Sequence, residues 1–224
     1  MFLVVCATEF ELQSLLDYSV CKADEWMSLV TGVGMVETAF NLTRFLEREK
    51  SKGENGIHAV LNLGVAGAYL ADGEKQADLL QICFAEKEFF GDMGICYPDR
   101  MEPLAEDLLH RFQYVLDSDL LNRAESLLEE NGLQVRRGNF VTVCGVSATA
   151  GRGAMLRQRY DALCENMEGA AVARICEEYM LPLLEMRAVS NYVEDRDLTR
   201  WKLKEACDQA GKAAAMLLKG LKNE

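Results

Sequence analysis

The sequence predicts one α/β domain, residues 1–224, in which helices pack on a mostly parallel sheet. Three observations predict it. Apolar runs that do not alternate with polar residues recur along the chain, as in strands covered on both faces. Segments of helical apolar spacing lie between these runs. No Pro/Gly/Ser-rich linker or low-complexity tract divides the chain, and the two strand–glycine units are not an exact repeat.

Residues 2–7 (FLVVCA) read as the first buried strand. Thr8 can cap the helix of residues 9–18, whose apolar spacing is helical. Residues 26–34 (WMSLVTGVG) read as a strand ending in a glycine turn, and residues 35–53 as a helix with a basic, glycine-terminated end. Residues 58–69 (HAVLNLGVAGAY) repeat the strand-then-glycine pattern. Residues 78–90 read as a strand entering a loop, and residues 91–103, with two of the three prolines, as a long loop. Residues 120–132 form a helix stopped by Gly132, and residues 139–151 a strand followed by a loop of small residues. Residues 164–179 (CENMEGAAVARICEEY) read as an amphipathic helix entering the core. Residues 181–197 give a strand with charges past its end, and residues 201–222 a helix that can cover one sheet face.

The net charge of −12 argues against a nucleic-acid partner, because an acidic surface repels a polyanion. The pair Arg136–Arg137 is too short to form a basic patch. The eight cysteines include no CxxC pair, and none combines with His58 or His110 at zinc-ligand spacing. Cys6 and Cys83 lie inside apolar runs and read as small buried hydrophobes in a reducing compartment. The N-terminal apolar run is short and soon meets Glu9 and Glu11, unlike a signal peptide. No run reaches the roughly 20 apolar residues of a membrane span. The expected location is cytoplasmic, with no membrane partner.

In sheets of this type ligands bind beyond the carboxyl ends of the strands. The polar and glycine-rich segments there each have two readings. The turns 31–34 (TGVG, ending at Gly34) and 62–69 (NLGVAGAY, with Val65, Ala66 and Gly67) can bring backbone N–H groups to a ligand, or can serve close packing alone. Neither is a Walker loop. Glu11 and Glu168 sit near helix starts, where the helix dipole suits a carboxylate, and Asn166 can cap the second helix. The small residues around Glu168 suggest a packed core entry, where an unpaired carboxylate is costly. Asn191 stands at a strand end, where a turn also explains it. Ser147 has neither a His partner nor a G-x-S-x-G elbow, so a hydrolase triad is not expected.

Taken together, residues 6–16 (CATEFELQSLL), 31–39 (TGVGMVETA), 62–69, 165–173 (ENMEGAAVA) and 186–197 (MRAVSNYVEDRD) resemble the nucleoside phosphorylase/nucleosidase superfamily. The resemblance is to its hydrolytic branch, the methylthioadenosine/adenosylhomocysteine nucleosidases and futalosine hydrolases. It runs nearly end to end, is weak over residues 85–135, and keeps the Glu168–Asn191 spacing without a gap. It implies a three-layer α/β/α fold with a twisted, partly barrel-like mixed sheet. It also implies a homo-oligomer, with a dimer favoured, no cofactor, no metal, and a small-molecule nucleoside and water as partners. The candidate catalytic residues are Glu11, which would hold the attacking water, and Asn191. Glu168 would accept hydrogen bonds from the ribose hydroxyls and Met167 would pack on the sugar, with Val146 and Ser147 framing the base. Gly34, Val65, Ala66, Gly67, Asn166 and Ser190 complete the candidate substrate contacts.

The chemistry fits these residue types. Cleavage of an N-glycosidic bond develops oxocarbenium character on the sugar, which carboxylates stabilise. A glutamate can take the proton of the attacking water. Phosphorolytic relatives bind phosphate with arginines in the first glycine-rich turn. Here that segment reads CATEFE, with two glutamates and no arginine, which favours hydrolysis. Asn191 stands where adenine-specific relatives carry aspartate. An amide can donate to O6 of a 6-oxopurine, whereas an aspartate there would oppose two acceptors at a cost of roughly 1–3 kcal/mol. Asn191 therefore points to hypoxanthine as the leaving base, and the resemblance to the hydrolytic branch then implies futalosine, a 5′-modified inosine, as the expected substrate. The alternatives are a methylthioadenosine/adenosylhomocysteine-type or other purine nucleosidase and a non-catalytic nucleoside-binding protein, against which the presence of both Glu11 and Glu168 argues. Asparagine cannot act as the general acid, so the anion of the base must be stabilised at O6 or protonated by water. Arg196, Asp195 and Asp197 read as an ion-pair cluster on the next loop.

Overall fold

The structure is a computed structural model and describes residues 1–19, 26–53, 56–71, 73–97, 100–102, 104–105, 108 and 111–221. His110 lies outside the described residues. The expected alternation is present. Strand β1 (Phe2–Cys6) leads to α1 (Glu9–Leu16), β2 (Trp26–Val30) to α2 (Met35–Ser51), and β3 (Ala59–Ala68) to a small ladder of β4 (Leu70–Ala71) and β5 (Glu74–Lys75). Next come β6 (Ile82–Phe90), a ladder of β7 (Ile95–Cys96) and β8 (Met101–Glu102), β9 (Gln113–Val115) and α3 (Ser118–Glu130). Then β10 (Val135–Thr142), α4 (Ala150–Tyr160), β11 (Ala162–Asn166), α5 (Gly169–Glu178), β12 (Leu183–Tyr192) and α6 (Leu203–Gly220) complete the chain.

The main sheet runs β11-β10-β6-β12-β3-β1-β2, with β9 on β6. β11 also pairs with β3, antiparallel, so β11, β10, β6, β12 and β3 close into a ring. Most pairings are parallel, while β12–β6 and β6–β9 are antiparallel, making the sheet mixed. Both faces are covered, which explains the unbroken apolar runs. In β1, Phe2, Val4 and Cys6 face the helices α1, α3 and α6, and Leu3 and Val5 face α2 and α5. Among the described residues, no helix is long and apolar enough to cross a membrane.

Three local readings change. The helix expected from residue 164 begins at Gly169, because Cys164–Asn166 pairs with β10 and β3 as the end of β11. Burial on both sides of β11 gives it the same small apolar character as a helix entry. Residues 150–160 form α4; the sequence reading puts Ala150 and Gly151 in a small-residue loop and assigns no element to residues 152–160. Its Gly151 and Gly153 hide the helical periodicity, and Gly153 is needed because a Cβ there would meet Val193 Cγ1 at 2.7 Å. The loop 91–103 contains the β7–β8 ladder.

α1 and α6 pack closely through Gly211 on α6. A Cβ there would collide with the Ser14 carbonyl and lie 2.7 Å from Leu15 N. We expect Gly211→Ala to force the helices apart and cost about 2 kcal/mol or more of stability. Urea unfolding of variant and wild type measures this, and an unchanged midpoint contradicts the packing.

Candidate active site

A cavity of about 550 Å³ opens at the carboxyl ends of β1, β3, β11 and β12. All the candidate site residues except Gly34 line it. Gly34 instead donates its N–H to Glu168 Oε1 at 3.0 Å. Its φ of 91° is available to glycine at little cost, and this conformation lets the turn before α2 aim that donor at the carboxylate.

Glu11 is held by a capping box. Thr8 N and Thr8 Oγ1 donate to Glu11 Oε2 at 3.0 and 2.9 Å, and Glu11 N donates to Thr8 Oγ1 at 3.3 Å. Its other oxygen accepts Val65 N–H at 3.3 Å. The helix-start reading of Glu11 is thus present as a capping box, and the cap fixes the rotamer that turns Oε1 into the cavity. Burial pushes the Glu11 carboxyl above its ordinary range, against the opposing pull of Arg187.

Glu168 precedes α5 and caps nothing with its side chain. Asn166 supplies the cap: its Oδ1 accepts Glu168 N–H at 2.9 Å and Gly169 N–H at 2.7 Å. Glu168 Oε2 lies 3.5 Å from Arg187 Nη1. Arg187, in the middle of β12, is fully enclosed, and Glu185 Oε1 accepts its Nε–H at 3.0 Å. Its Nη1 and Glu11 Oε1 crowd the same face of Gly64, where a Cβ would lie 2.5 and 2.6 Å from them. Burial opposes the Arg187 charge, yet Glu185, Glu168 and Glu11 outweigh it and hold its pKa above the ordinary value.

A fourth carboxyl joins the cluster around this cation. Glu88, on β6, accepts from Thr142 Oγ1 at 2.9 Å and from Asn166 Nδ2. Burial first, then the charge of Glu185, push Glu88 well above the carboxylate range, so it holds a proton and donates it to Glu185. The two meet over Gly169, where a Cβ would lie 2.5 Å from Glu185 Oε2 and would collide with Glu88. Thr142 Oγ1 also accepts Ala170 N–H at 2.7 Å. The turn that carries Met167 and Glu168 is thus pinned from beneath. Sequence reading missed Glu88, Glu165, Glu185 and Arg187. The available signal was a charge inside an otherwise apolar strand run, as in LEMRAVS and ICFAEKEFF.

At the other end of the cavity, Asn191 follows a bulge. β12 shifts register against β3 between Val189 and Asn191, so Ser190 is the extra residue. Ser190 Oγ donates to Asn191 Oδ1 at 2.8 Å, and Asn191 Nδ2 donates to Tyr192 O at 3.1 Å. Val146 is 42% exposed at the mouth, while Ser147 is buried with its N–H and O–H both given to Glu165. On the next loop the expected ion-pair cluster takes another form. Asp195 accepts from Ala150 N, Asp197 caps a 3-10 turn, and Arg196 stacks on Trp201. Among the described residues, no group of three or more His, Cys, Asp or Glu could hold a metal ion.

The fold and cavity place this chain in a known class. The chain belongs to the phosphorylase superfamily, whose family model matches residues 16–223. It is 32% identical over 203 residues to a futalosine hydrolase of Thermus thermophilus, covering 88% of this chain and 83% of that protein. It is 30% identical over 199 residues to a futalosine hydrolase of Streptomyces coelicolor, covering 87% and 80%. Its fold is similar to that of the 5′-methylthioadenosine/S-adenosylhomocysteine nucleosidase of Helicobacter pylori, with a TM-score of 0.81, 97% of each chain covered and 16% identity.

The Glu88 proton has a measurable consequence. A carboxyl whose pKa is raised by folding contributes its stability fully below the unfolded value of about 4.3, and loses it as pH rises through the folded value. Glu88→Gln removes that titration. We expect wild-type stability, relative to the variant, to fall as pH rises above the unfolded value, by up to about 1.4 kcal/mol per pH unit, until Glu88 has ionised in the folded state. Urea unfolding across this range checks it, and a pH-independent difference contradicts the protonated carboxyl.

Proposed function

We propose that this chain hydrolyses the N-glycosidic bond of futalosine, releasing hypoxanthine and the dehypoxanthine sugar. The observation that carries this reading is one cavity with Glu11 and Glu168 clamped around Arg187 at one end and the Asn191 amide at the other. The relatives named futalosine hydrolase, at 30% and 32% identity over most of the chain, support it.

In this reading Glu168 accepts hydrogen bonds from the ribose hydroxyls. Its partners Gly34 N–H and Arg187 leave lone pairs on both oxygens for that task. Met167 packs on the sugar. Glu11 Oε1, with one lone pair given to Val65 N–H, takes the proton of a water that adds to C1′. The raised Glu11 pKa brings this base closer to the pH at which it works. The negative charge of both carboxylates stabilises the developing oxocarbenium ion. Asn191 Nδ2 has a second proton free to donate to O6 of hypoxanthine, where the leaving anion places charge.

The same reading takes residues 1–224 as one nucleosidase domain acting as a homodimer in the cytoplasm. The six described cysteines that stay unpaired suit a reducing compartment.

Chromatography of the base freed from futalosine, inosine and 5′-methylthioadenosine tests the substrate. Hypoxanthine from futalosine is the expected main product. Rapid adenine release with futalosine left intact overturns the reading in favour of a methylthioadenosine-type nucleosidase. Glu11→Gln should lower kcat by roughly 10²–10⁴-fold with little change in KM, since it removes only the proton acceptor. Asn191→Asp should slow hypoxanthine release by about ten- to a hundredfold and spare adenine release. Wild-type rates in Glu11→Gln would remove Glu11 from the mechanism.

A further inference from the structure

The base end of the cavity holds a carboxylate that the proposed reaction leaves idle. Glu165, near the end of β11, lines the cavity and is 5% exposed. Its Oε1 accepts Ser147 N–H at 2.9 Å, and its Oε2 accepts Ser147 O–H at 2.7 Å and Tyr69 O–H at 3.0 Å. A carboxylate offers about four lone-pair sites. These three donors leave one, on Oε1. Tyr69 is wholly buried and serves as a rear anchor.

This arrangement fixes the polarity of Ser147. Its backbone N–H and its only hydroxyl proton both point to Glu165, so its oxygen can only accept from the cavity. Asn191 stands beside this acceptor surface. A Cβ on Gly67 would lie 3.2 Å from Asn191 Nδ2 and 3.6 Å from Glu165 Cγ, so both side chains flank one backbone segment. The base end therefore offers a donor amide next to a carboxylate–hydroxyl acceptor pair.

We propose that Glu165, with the Ser147 hydroxyl it orients, is a specificity element that accepts the N1–H of a 6-oxopurine while Asn191 donates to O6. The inference rests on reading the cavity as a purine nucleoside site. A keto 6-oxopurine presents a donor at N1 beside an acceptor at O6. Adenine presents the reverse, an acceptor at N1 beside an amino donor. In the same pose adenine sets the N1 lone pair against the Glu165 carboxylate and the Ser147 oxygen, in a site where an unmatched polar group is not rescued by water. Glu165 thus rejects adenine at a position separate from Asn191. Glutamine replaces it only in part. Its single carbonyl keeps the Ser147 N–H and the remaining Oε1 lone pair, but without the carboxylate charge, and its amide faces the Ser147 and Tyr69 hydroxyls, which rotate their protons away. The Ser147 hydroxyl then turns from acceptor to donor, so the charged acceptor pair becomes one neutral acceptor beside a donor.

Calorimetric binding of free hypoxanthine and adenine tests this without nucleoside turnover. Wild type should prefer hypoxanthine at least tenfold, and Glu165→Gln should lower that ratio by about ten- to a hundredfold. Tyr69→Phe, which keeps the carboxylate and Ser147, should leave the ratio within a few-fold. A ratio unchanged in Glu165→Gln, whatever the loss of absolute affinity, assigns Glu165 a structural role and overturns the inference. So does wild type that binds neither base or binds adenine equally. The wild-type comparison of hypoxanthine with 1-methylhypoxanthine covers a variant that fails to fold: at least tenfold weaker binding of the methylated base is expected, and equal binding overturns the N1–H contact. Failure to hydrolyse futalosine with hypoxanthine selectivity intact would remove the substrate assignment and leave this one standing.

Discussion

The charge on Arg187 decides how the carboxylates of this molecule can live in its interior. It is the one Lys or Arg side chain buried among the described residues, and Glu185, Glu168 and Glu11 surround it. A buried ion is tolerated only with close partners, and removing one partner of such a pair costs about 3–5 kcal/mol. The cluster is therefore bound to stay together. Each carboxylate fixes where the cation sits, and the cation fixes where two of them can face the cavity. The fold serves this constraint. Arg187 is carried on β12 inside the closed ring, Glu11 arrives through the Thr8 capping box, and Glu168 arrives through the Asn166-capped turn.

In the proposed reaction the balance of charge around Arg187 would also favour water over phosphate as the nucleophile. One guanidinium faces more negative charge than it can neutralise, because Glu185, Glu168 and Glu11 all draw on it. A phosphate dianion entering there would meet net repulsion, whereas water needs only an acceptor for its proton. Glu88 is the exception that keeps the cluster from failing. By staying protonated it adds a hydrogen bond to Glu185 without adding another charge. It also accepts from Asn166 and Thr142, whose other contacts hold the turn under Met167 and Glu168. Site geometry and the stability of the buried core are one network here.

Much of this was legible in the sequence. Strand–helix alternation and unbroken apolar runs predicted the sheet, Thr8 and Gly132 predicted helix ends, and the Glu168–Asn191 spacing tied two motifs to one site. What was hidden had physical reasons. α4 carries Gly151 and Gly153, which weaken the helical signal because close packing on Val193 requires Gly153. Residues 164–166 look like a helix start because a strand buried on both faces has no period of its own. Glu88, Glu165, Glu185 and Arg187 are single charges in apolar runs, and their meaning depends on pairing across strands that are distant in sequence. No local pattern reports that contact.

The central claim is that water, activated beside a cation already saturated with carboxylates, cleaves the bond. Phosphorus NMR of the reaction with futalosine in phosphate buffer tests it most directly. The account predicts that free sugar and hypoxanthine appear in equal amounts, at a rate independent of phosphate, with no new phosphate ester signal. A sugar 1-phosphate growing in step with hypoxanthine would contradict it.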